Sequence, residues 1–218
     1  MTELWTEYGD LTEIWLDGGC GAMCDKVGAL VRKTNAKGAV AFNGGGVSDS
    51  PVRWCGTEGG DPAKGPGGAV WSTTACPDKW CGPGSGSGSA PNATGATWYP
   101  SGVDVTLQKG DHWFFTPGDA LNPLSKLVSF YHNSVGANGH LEIDFAIDRT
   151  GGIDPKHAAA YAQFGSWIRS CYGSPVAHGA LAAGQTSFEV DFTGTLSSQS
   201  IDRILLEEDQ TSGQRIIT

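Results

Sequence analysis

Short apolar runs alternate with longer amphipathic segments through most of the chain. The strand-like runs are Glu13–Asp17, Ala39–Phe42, Val52–Trp54, Val103–Leu107 and Leu141–Ile147. Apolar side chains recur at helical spacing in 23–33, 123–135 and 155–171. Because strands alternate with helices, the pattern predicts an α/β fold with a parallel sheet or barrel.

The pattern changes near the C-terminal end of the chain. Ser187–Phe192, Ile201–Leu206 and Arg215–Ile217 resemble strands, and no helical segment separates them. This shift predicts that 1–178 belongs to the α/β unit and that 179–218 begins an all-β module. Within the first unit, 59–98 is rich in Gly, Pro and Ser and is predicted to be a long loop.

Composition excludes several classes of partner. The 218 residues carry a net charge of −9, which disfavours nucleic acid and anionic membrane surfaces. No apolar run approaches 18 residues, so no membrane-spanning segment is expected. The apolar content of 39% is sufficient for a packed core.

The six cysteines and one glycosylation sequon point to an oxidising compartment. The short spacing of Cys76 and Cys81 and the even count predict one or more disulfides, and Asn92 begins an Asn-Ala-Thr sequon. We therefore expect a secreted, extracellular or lysosomal glycoprotein. Buried thiols are one alternative; a metal site is another, although no paired Cys-x-x-Cys motif supports it.

Two acids stand where α/β folds place catalytic groups. Asp17 ends a strand-like run and precedes two glycines, and Glu58 lies 41 residues further on, in a Gly-rich segment. Glycoside hydrolysis requires two carboxyl groups that flank one bond, so Asp17 is a candidate nucleophile and Glu58 a candidate acid/base. Arg53 and Trp54 would shield and polarise this site. A helix cap and a solvated loop acid are the respective alternatives for the two acids.

Motifs in the same order resemble those of glycoside hydrolase family twenty-nine, the α-L-fucosidases. Glu-Ile-Trp-Leu-Asp-Gly at 13–18 is similar to the segment around that family's nucleophile. Arg53–Glu58 is similar to the Arg-Trp-x-Gly-Asn-Glu block of the plant-, fungal- and bacterial-type branch. Further matches are Trp113–Phe115, Tyr131–Asn138 and, at the start of the family's β-sandwich, Leu206–Arg215.

The resemblance implies a fold and a reaction. The fold would be the C-terminal half of a (β/α)8-like TIM barrel followed by the start of an all-β sandwich. The function would be that of a retaining α-L-fucosidase that removes α-1,3- or α-1,4-linked fucose from oligosaccharides or glycoproteins by double displacement. Asp17 would be the nucleophile, Glu58 the acid/base and Trp113 an aromatic wall, without a cofactor or metal. His112 would line the pocket or lie in an exposed loop. A catalytically inactive carbohydrate-binding relative is the alternative.

Departures from the family pattern affect the interpretation. Thr57 stands where the family has Asn, and Asp144 stands near a family Asn, where it would add a carboxylate or cap a turn. Asp104 would support the site or be an ordinary edge acid. The family's His-rich sugar-binding motifs are absent, and the chain opens within a predicted helix. We therefore expect a piece of a longer enzyme that is inactive by itself.

Overall fold

The computed structural model describes residues 1–42, 47–65, 100–182, 184–190 and 201–208, together with the backbone of 73–74 and 97–98. Within these ranges the α-helices are α1 Thr2–Thr6, α2 Cys24–Val31, α3 Leu124–Ser134 and α4 Pro155–Tyr172. The strands are β1 Glu13–Trp15, β2 Val40–Phe42, β3 Ser50–Trp54, β4 Thr73–Thr74, β5 Thr97–Trp98, β6 Ser101–Thr106 and β7 His140–Asp144. Single turns of 3₁₀ helix occupy Gly21–Met23, Pro62–Lys64 and Val135–Ala137.

Five of the strands form one parallel sheet in the order β1-β2-β3-β6-β7. Helix α2 connects β1 to β2, and α3 connects β6 to β7, as parallel pairing requires. Only the seven residues 43–49 separate β2 from β3, too few for a helix with its connections. Parallel pairing confirms the predicted α/β class and places the carboxyl ends of all five strands at one edge.

The long connection between β3 and β6 contains an additional ribbon. Strands β4 and β5 pair antiparallel, with Thr73 opposite Trp98. Most of the predicted loop 59–98 lies outside the described residues, including Cys76, Cys81 and the sequon at Asn92.

The start of α4 is determined by local sequence. The Asp154 side chain accepts a hydrogen bond of 2.8 Å from the Lys156 amide, and Pro155 occupies the first turn, where no intrahelical donor is needed. The helix therefore begins where the sequence predicts.

One face of the sheet is apolar and is covered by the helices. Side chains of β1 and β2 pack with α1 and α2, whereas those of β6 and β7 pack with α3 and α4. The first cluster includes Trp5, Ile14, Leu16, Val31 and Ala41; the second includes Val105, Leu107, Leu127, Phe130 and Phe164. Each large apolar side chain that is fully buried contributes roughly 1.5–3 kcal/mol of transfer free energy, so this outer face holds the sheet together.

The opposite face of the sheet is the interior of a curled half-barrel. Although β1 and β7 are the two edges, His140 Nε2 lies 2.9 Å from Glu13 Oε2. The Phe42 ring on β2 fills the same interior: its centroid lies 5.2 Å from that of the His140 ring and 4.4 Å from that of the Trp15 ring. Gly102 leaves room for Phe42: a Cβ there would overlap the ring and lie 2.8 Å from Val52 Cγ1. The interior is thus filled by side chains, as in complete barrels.

The structure differs from the prediction near the C-terminal end. Residues 201–208 and 184–190 contain no strand, so the strand predicted at Ile201–Leu206 is wrong for this structure. An alternating pattern forms a strand only when another strand supplies its hydrogen bonds. The remainder of the predicted β module lies outside the described residues, and the boundary at 178/179 stays a prediction.

None of the helices in the parts of the chain just described combines the length and apolar character that crossing a bilayer requires.

Replacing Gly102 with Ala is expected to destabilise the protein by about 1–3 kcal/mol, because the added methyl group overpacks the interior against Phe42 and Val52. The free energy of unfolding of the full-length protein, measured in urea, tests this. Gly38→Ala is the matched control, because Gly38 is exposed and has open space around its Cα. Equal stabilities for the two variants would contradict the proposed packing.

Candidate active site

Asp17 lies two residues beyond the carboxyl end of β1 and is exposed. The chain turns sharply after it: Gly19 donates to the Leu16 carbonyl at 2.7 Å, and Gly18 and Gly19 have φ of +68° and +80°, which favour glycine. Cys20, rather than Asp17, is the N-cap of the next helical turn, so Asp17 does not cap that helix.

A disulfide follows directly after this turn. Cys20 and Cys24 are bonded, with their Cα atoms 4.9 Å apart. The prediction of a disulfide is therefore confirmed, although spacing alone did not identify this pair. The bond ties the start of α2 to the turn that carries Asp17.

Glu58 lies on a short loop beyond the carboxyl end of β3. The loop starts from a fixed strand end, because the Cys55 amide donates to the Gly102 carbonyl at 2.9 Å. The Thr57 hydroxyl accepts from the Gly59 amide at 3.1 Å, so Thr57 supports the turn of Glu58. At the far end, Gly60 has φ +68° and packs so closely on Phe130 that a side chain would clash. The exposed Glu58 is therefore carried by an anchored loop.

Asp104 is a buried acid on the strand next to β3. It lies on the inner face of β6 and is only 8% exposed, and its Oδ1 accepts a 2.7 Å hydrogen bond from the Trp54 indole N–H. Burial, partly offset by this hydrogen bond, raises the pKa of Asp104 to about 6. The charges of Glu58 and Asp17 act in the same direction as burial. The sequence identified Asp104 only as a supporting group or an edge acid.

Trp54 and Arg53 occupy opposite faces of β3. Successive strand side chains alternate, and Trp54 reaches Asp104 inside the half-barrel. Arg53, which is fully buried, therefore lies on the helix-covered side. The structure brings Trp54 together with the acids and does not place Arg53 among them; a sugar contact by either residue stays a prediction.

Trp113 and His112 lie in the loop after β6, which a buried glutamine organises. Gln108 Nε2 donates to the carbonyls of His112 and Phe114 at 2.7 and 2.9 Å, and its Oε1 accepts from the Thr116 amide at 3.1 Å. His112 itself is exposed and contacts Asp119 at 2.6 Å. The predicted aromatic wall is thus on a loop with a defined shape, and Gln108 was not recognised from the sequence.

A small open cavity lies between the Glu58 loop, the end of β6 and α3. Its lining residues are Glu58, Gly59, Val105, Thr106, Gly110, Asp111, Asn122, Lys126 and Phe130. Asn122 Nδ2 donates to the Thr106 carbonyl at 2.9 Å and so ties the end of the loop back to the strand. Glu58 therefore adjoins a cleft that the loop after β6 helps to form.

Deeper in the interior, Glu142 of β7 forms a hydrogen bond with Glu13 of β1. Burial, and then its hydrogen bond to Glu13, raises the pKa of Glu142 to about 8; the charges of Asp104 and Asp144 act in the same direction. Burial also raises the pKa of Asp144, while the nearby His157 lowers it. A hydrogen bond from the Phe145 backbone also lowers it, so a rim carboxylate and a turn cap both stay predictions for Asp144.

No group of three or more His, Cys, Asp or Glu side chains in the described ranges is arranged to hold a metal ion.

Replacing Gln108 with Ala is expected to loosen the loop that carries Trp113, because two carbonyls and the Thr116 amide lose their partner. Hydrogen exchange of the Thr116 amide should accelerate by roughly 10-fold, the equivalent of one lost hydrogen bond. The exposed Gln163 of α4, changed to Ala, is the control. Unchanged exchange at Thr116 would contradict the role of Gln108.

Replacing Glu142 with Gln is expected to change how stability depends on pH. Folded Glu142 keeps its proton up to about pH 8, whereas the ordinary pKa is 4.5, so the folded state loses stability as pH rises from 4.5 to 8. Glutamine cannot ionise, so the variant should have a higher melting temperature than the wild type at pH 8 and a similar one at pH 4.5. The exposed Glu3, changed to Gln, provides the control. Parallel curves for wild type and Glu142→Gln would refute the assignment.

Comparison with known proteins relates the chain to one group of enzymes. The sequence is 28% identical over 216 residues to alpha-L-fucosidase 1 of Arabidopsis thaliana, a match that covers 95% of this chain and 40% of the relative. The chain thus spans about two fifths of that relative's length. No family model matches the sequence.

Solved structures share the fold. A Bacteroides thetaiotaomicron protein provisionally assigned as an alpha-L-fucosidase superposes with a TM-score of 0.62 at 23% identity, covering 80% of this chain and 39% of that one. A Ruminococcus gnavus fucosidase of glycoside hydrolase family 29, solved with fucose, gives a TM-score of 0.55 at 20% identity and covers 75% and 34% of the two chains. The five-stranded sheet corresponds to the C-terminal half of their barrel. The resemblance to the family twenty-nine α-L-fucosidases that the sequence motifs indicate is thereby confirmed.

Proposed function

We propose that the protein is a retaining α-L-fucosidase in which Asp17 is the nucleophile and Glu58 the acid/base. The observation that carries the proposal is the position of the two acids, which follow the carboxyl ends of β1 and β3 at the same edge of one parallel sheet. Two carboxyl groups that face one opening are the minimum machinery for hydrolysing a glycosidic bond. The α-L-fucosidases to which the chain is similar support the choice of sugar.

The first step forms a covalent intermediate. An Asp17 carboxylate oxygen attacks the anomeric carbon of fucose, and Glu58 donates its proton to the glycosidic oxygen as the bond to that oxygen breaks. The free aglycone leaves, and fucose remains bound to Asp17 as an ester. The exposed turn at Gly18 and Gly19 leaves space for the sugar ring next to this carboxylate.

The second step releases the sugar. Glu58, now ionised, accepts a proton from water, and the resulting hydroxide attacks the anomeric carbon and displaces Asp17. Both acids then return to their starting protonation states. The two displacements preserve the configuration at the anomeric carbon.

Substrate preference and location form a further part of the proposal. Similarity to the Arg-Trp-x-Gly-x-Glu branch supports α-1,3- or α-1,4-linked fucose on oligosaccharides or glycoproteins. The apolar face of Trp113 would contact the C6 methyl group of fucose. The disulfide between Cys20 and Cys24 supports a secreted, extracellular or lysosomal location.

Replacing Asp17 with Gly in the full-length protein should reduce fucose release to background, because no covalent ester can form. Added azide should fill the vacated space and yield a fucosyl azide, detectable by mass spectrometry and NMR. Asp10→Gly is the matched control and should keep wild-type turnover, since Asp10 is an exposed loop acid outside the proposed site.

Two outcomes would contradict the proposal. Wild-type turnover in Asp17→Gly would remove Asp17 from the nucleophile role. A wild-type protein that binds fucose but hydrolyses no fucoside would instead favour an inactive carbohydrate-binding relative.

A further inference from the structure

We propose that Asp104 is a positioning residue of the site: its hydrogen bond holds the Trp54 indole against the inner wall, beside the strand end from which the Glu58 loop departs. This inference rests on the proposed fucosidase function. It adds a third acid, with a role different from those of the two catalytic candidates.

The geometry of the Trp54 contact supports the positioning role. Asp104 Oδ1 accepts from Trp54 Nε1 at 2.7 Å, a short hydrogen bond between neighbouring strands. Trp54 lies four residues before Glu58, on the strand from which the Glu58 loop departs. The hydrogen bond keeps the indole in one rotamer, so the strand end before the Glu58 loop has a rigid apolar wall. Without the bond, the ring would be free to change rotamer.

Burial supports the same role. Asp104 is 8% exposed, so few water molecules compete with Trp54 for its carboxyl group. Breaking the contact would leave this buried group without its indole partner, which is costly.

The consequence concerns substrate binding. An indole that keeps one rotamer offers the sugar a preformed wall, whereas a free ring must be ordered when the sugar binds. Loss of the hydrogen bond should therefore weaken binding more than it slows the chemical step.

Two variants of Asp104 separate the hydrogen bond from the charge. Asn has the same shape and keeps an oxygen that accepts from Trp54 but carries no charge, whereas Ala removes both. Asp104→Asn in the full-length protein should leave KM near the wild-type value. Asp104→Ala should raise KM by roughly 3- to 10-fold, the equivalent of one hydrogen bond, with a smaller change in kcat.

Trp54→Phe provides an independent arm, because it removes the indole donor and keeps an aromatic ring. It should raise KM as Asp104→Ala does, and the double variant Asp104→Ala/Trp54→Phe should raise KM no further, since both changes remove the same hydrogen bond. Circular dichroism checks that each variant is folded. Should Asp104→Ala not fold, the KM of Trp54→Phe, compared with the KM of Asp104→Asn, still decides the matter.

The outcomes distinguish this inference from the function on which it rests. An active wild-type enzyme whose KM is unchanged in Trp54→Phe, or whose KM effects are additive in the double variant, would overturn the role of Asp104 and leave the fucosidase proposal intact. A wild-type protein without fucosidase activity would overturn both.

Discussion

The curl of the parallel sheet is the constraint on which the rest of the structure depends. Glu13 and His140 belong to opposite edge strands, yet their side chains meet at 2.9 Å. The inward side chains of all five strands therefore share one interior instead of lining an open surface. Because the strands are parallel, the same curl directs the loops that follow β1, β3 and β6 towards a common opening, where Asp17, Glu58 and Trp113 are carried.

The two faces of the sheet have different roles: the outer face stabilises the fold, and the inner face holds buried carboxyl groups. The outer face is covered by helices and buries two apolar clusters, whereas the inner face holds Asp104 and Glu142 in partly desolvated positions. A buried carboxyl group destabilises the fold when it ionises, so the inner face makes folding less favourable as the pH rises. Apolar packing on the outer face offsets this cost. Strained or perturbed groups of this kind are typical of functional sites.

The functional loops are shaped by polar contacts more than by regular secondary structure. Thr57 holds the turn of Glu58 through the Gly59 amide, and Gln108 holds the Trp113 loop through three hydrogen bonds. Both contacts pair a side chain with backbone groups that would otherwise lack partners in a loop. The substitution of Thr for the family's Asn at position 57 therefore retains a local support for the acid.

Local periodicity and turn chemistry were enough to predict the α/β class, the helices near α2, α3 and α4, and two acids at strand ends, because these depend on neighbours in sequence. The burial of Asp104 and its bond to Trp54 were not predictable, since they depend on which strands lie side by side: residues 54 and 104 meet only through the pairing of β3 with β6. The pairing of Cys20 with Cys24 and the three hydrogen bonds by which Gln108 holds the Trp113 loop likewise depend on the folded structure. Residues 201–206 show the converse, because a pattern that predicts a strand did not form one in the structure. The sequence by itself thus determined the elements and placed Asp17 and Glu58 at their tips; only the tertiary structure decided that a third, buried carboxyl group on β6 contacts Trp54 of β3, because sheet order and curl arise from long-range packing.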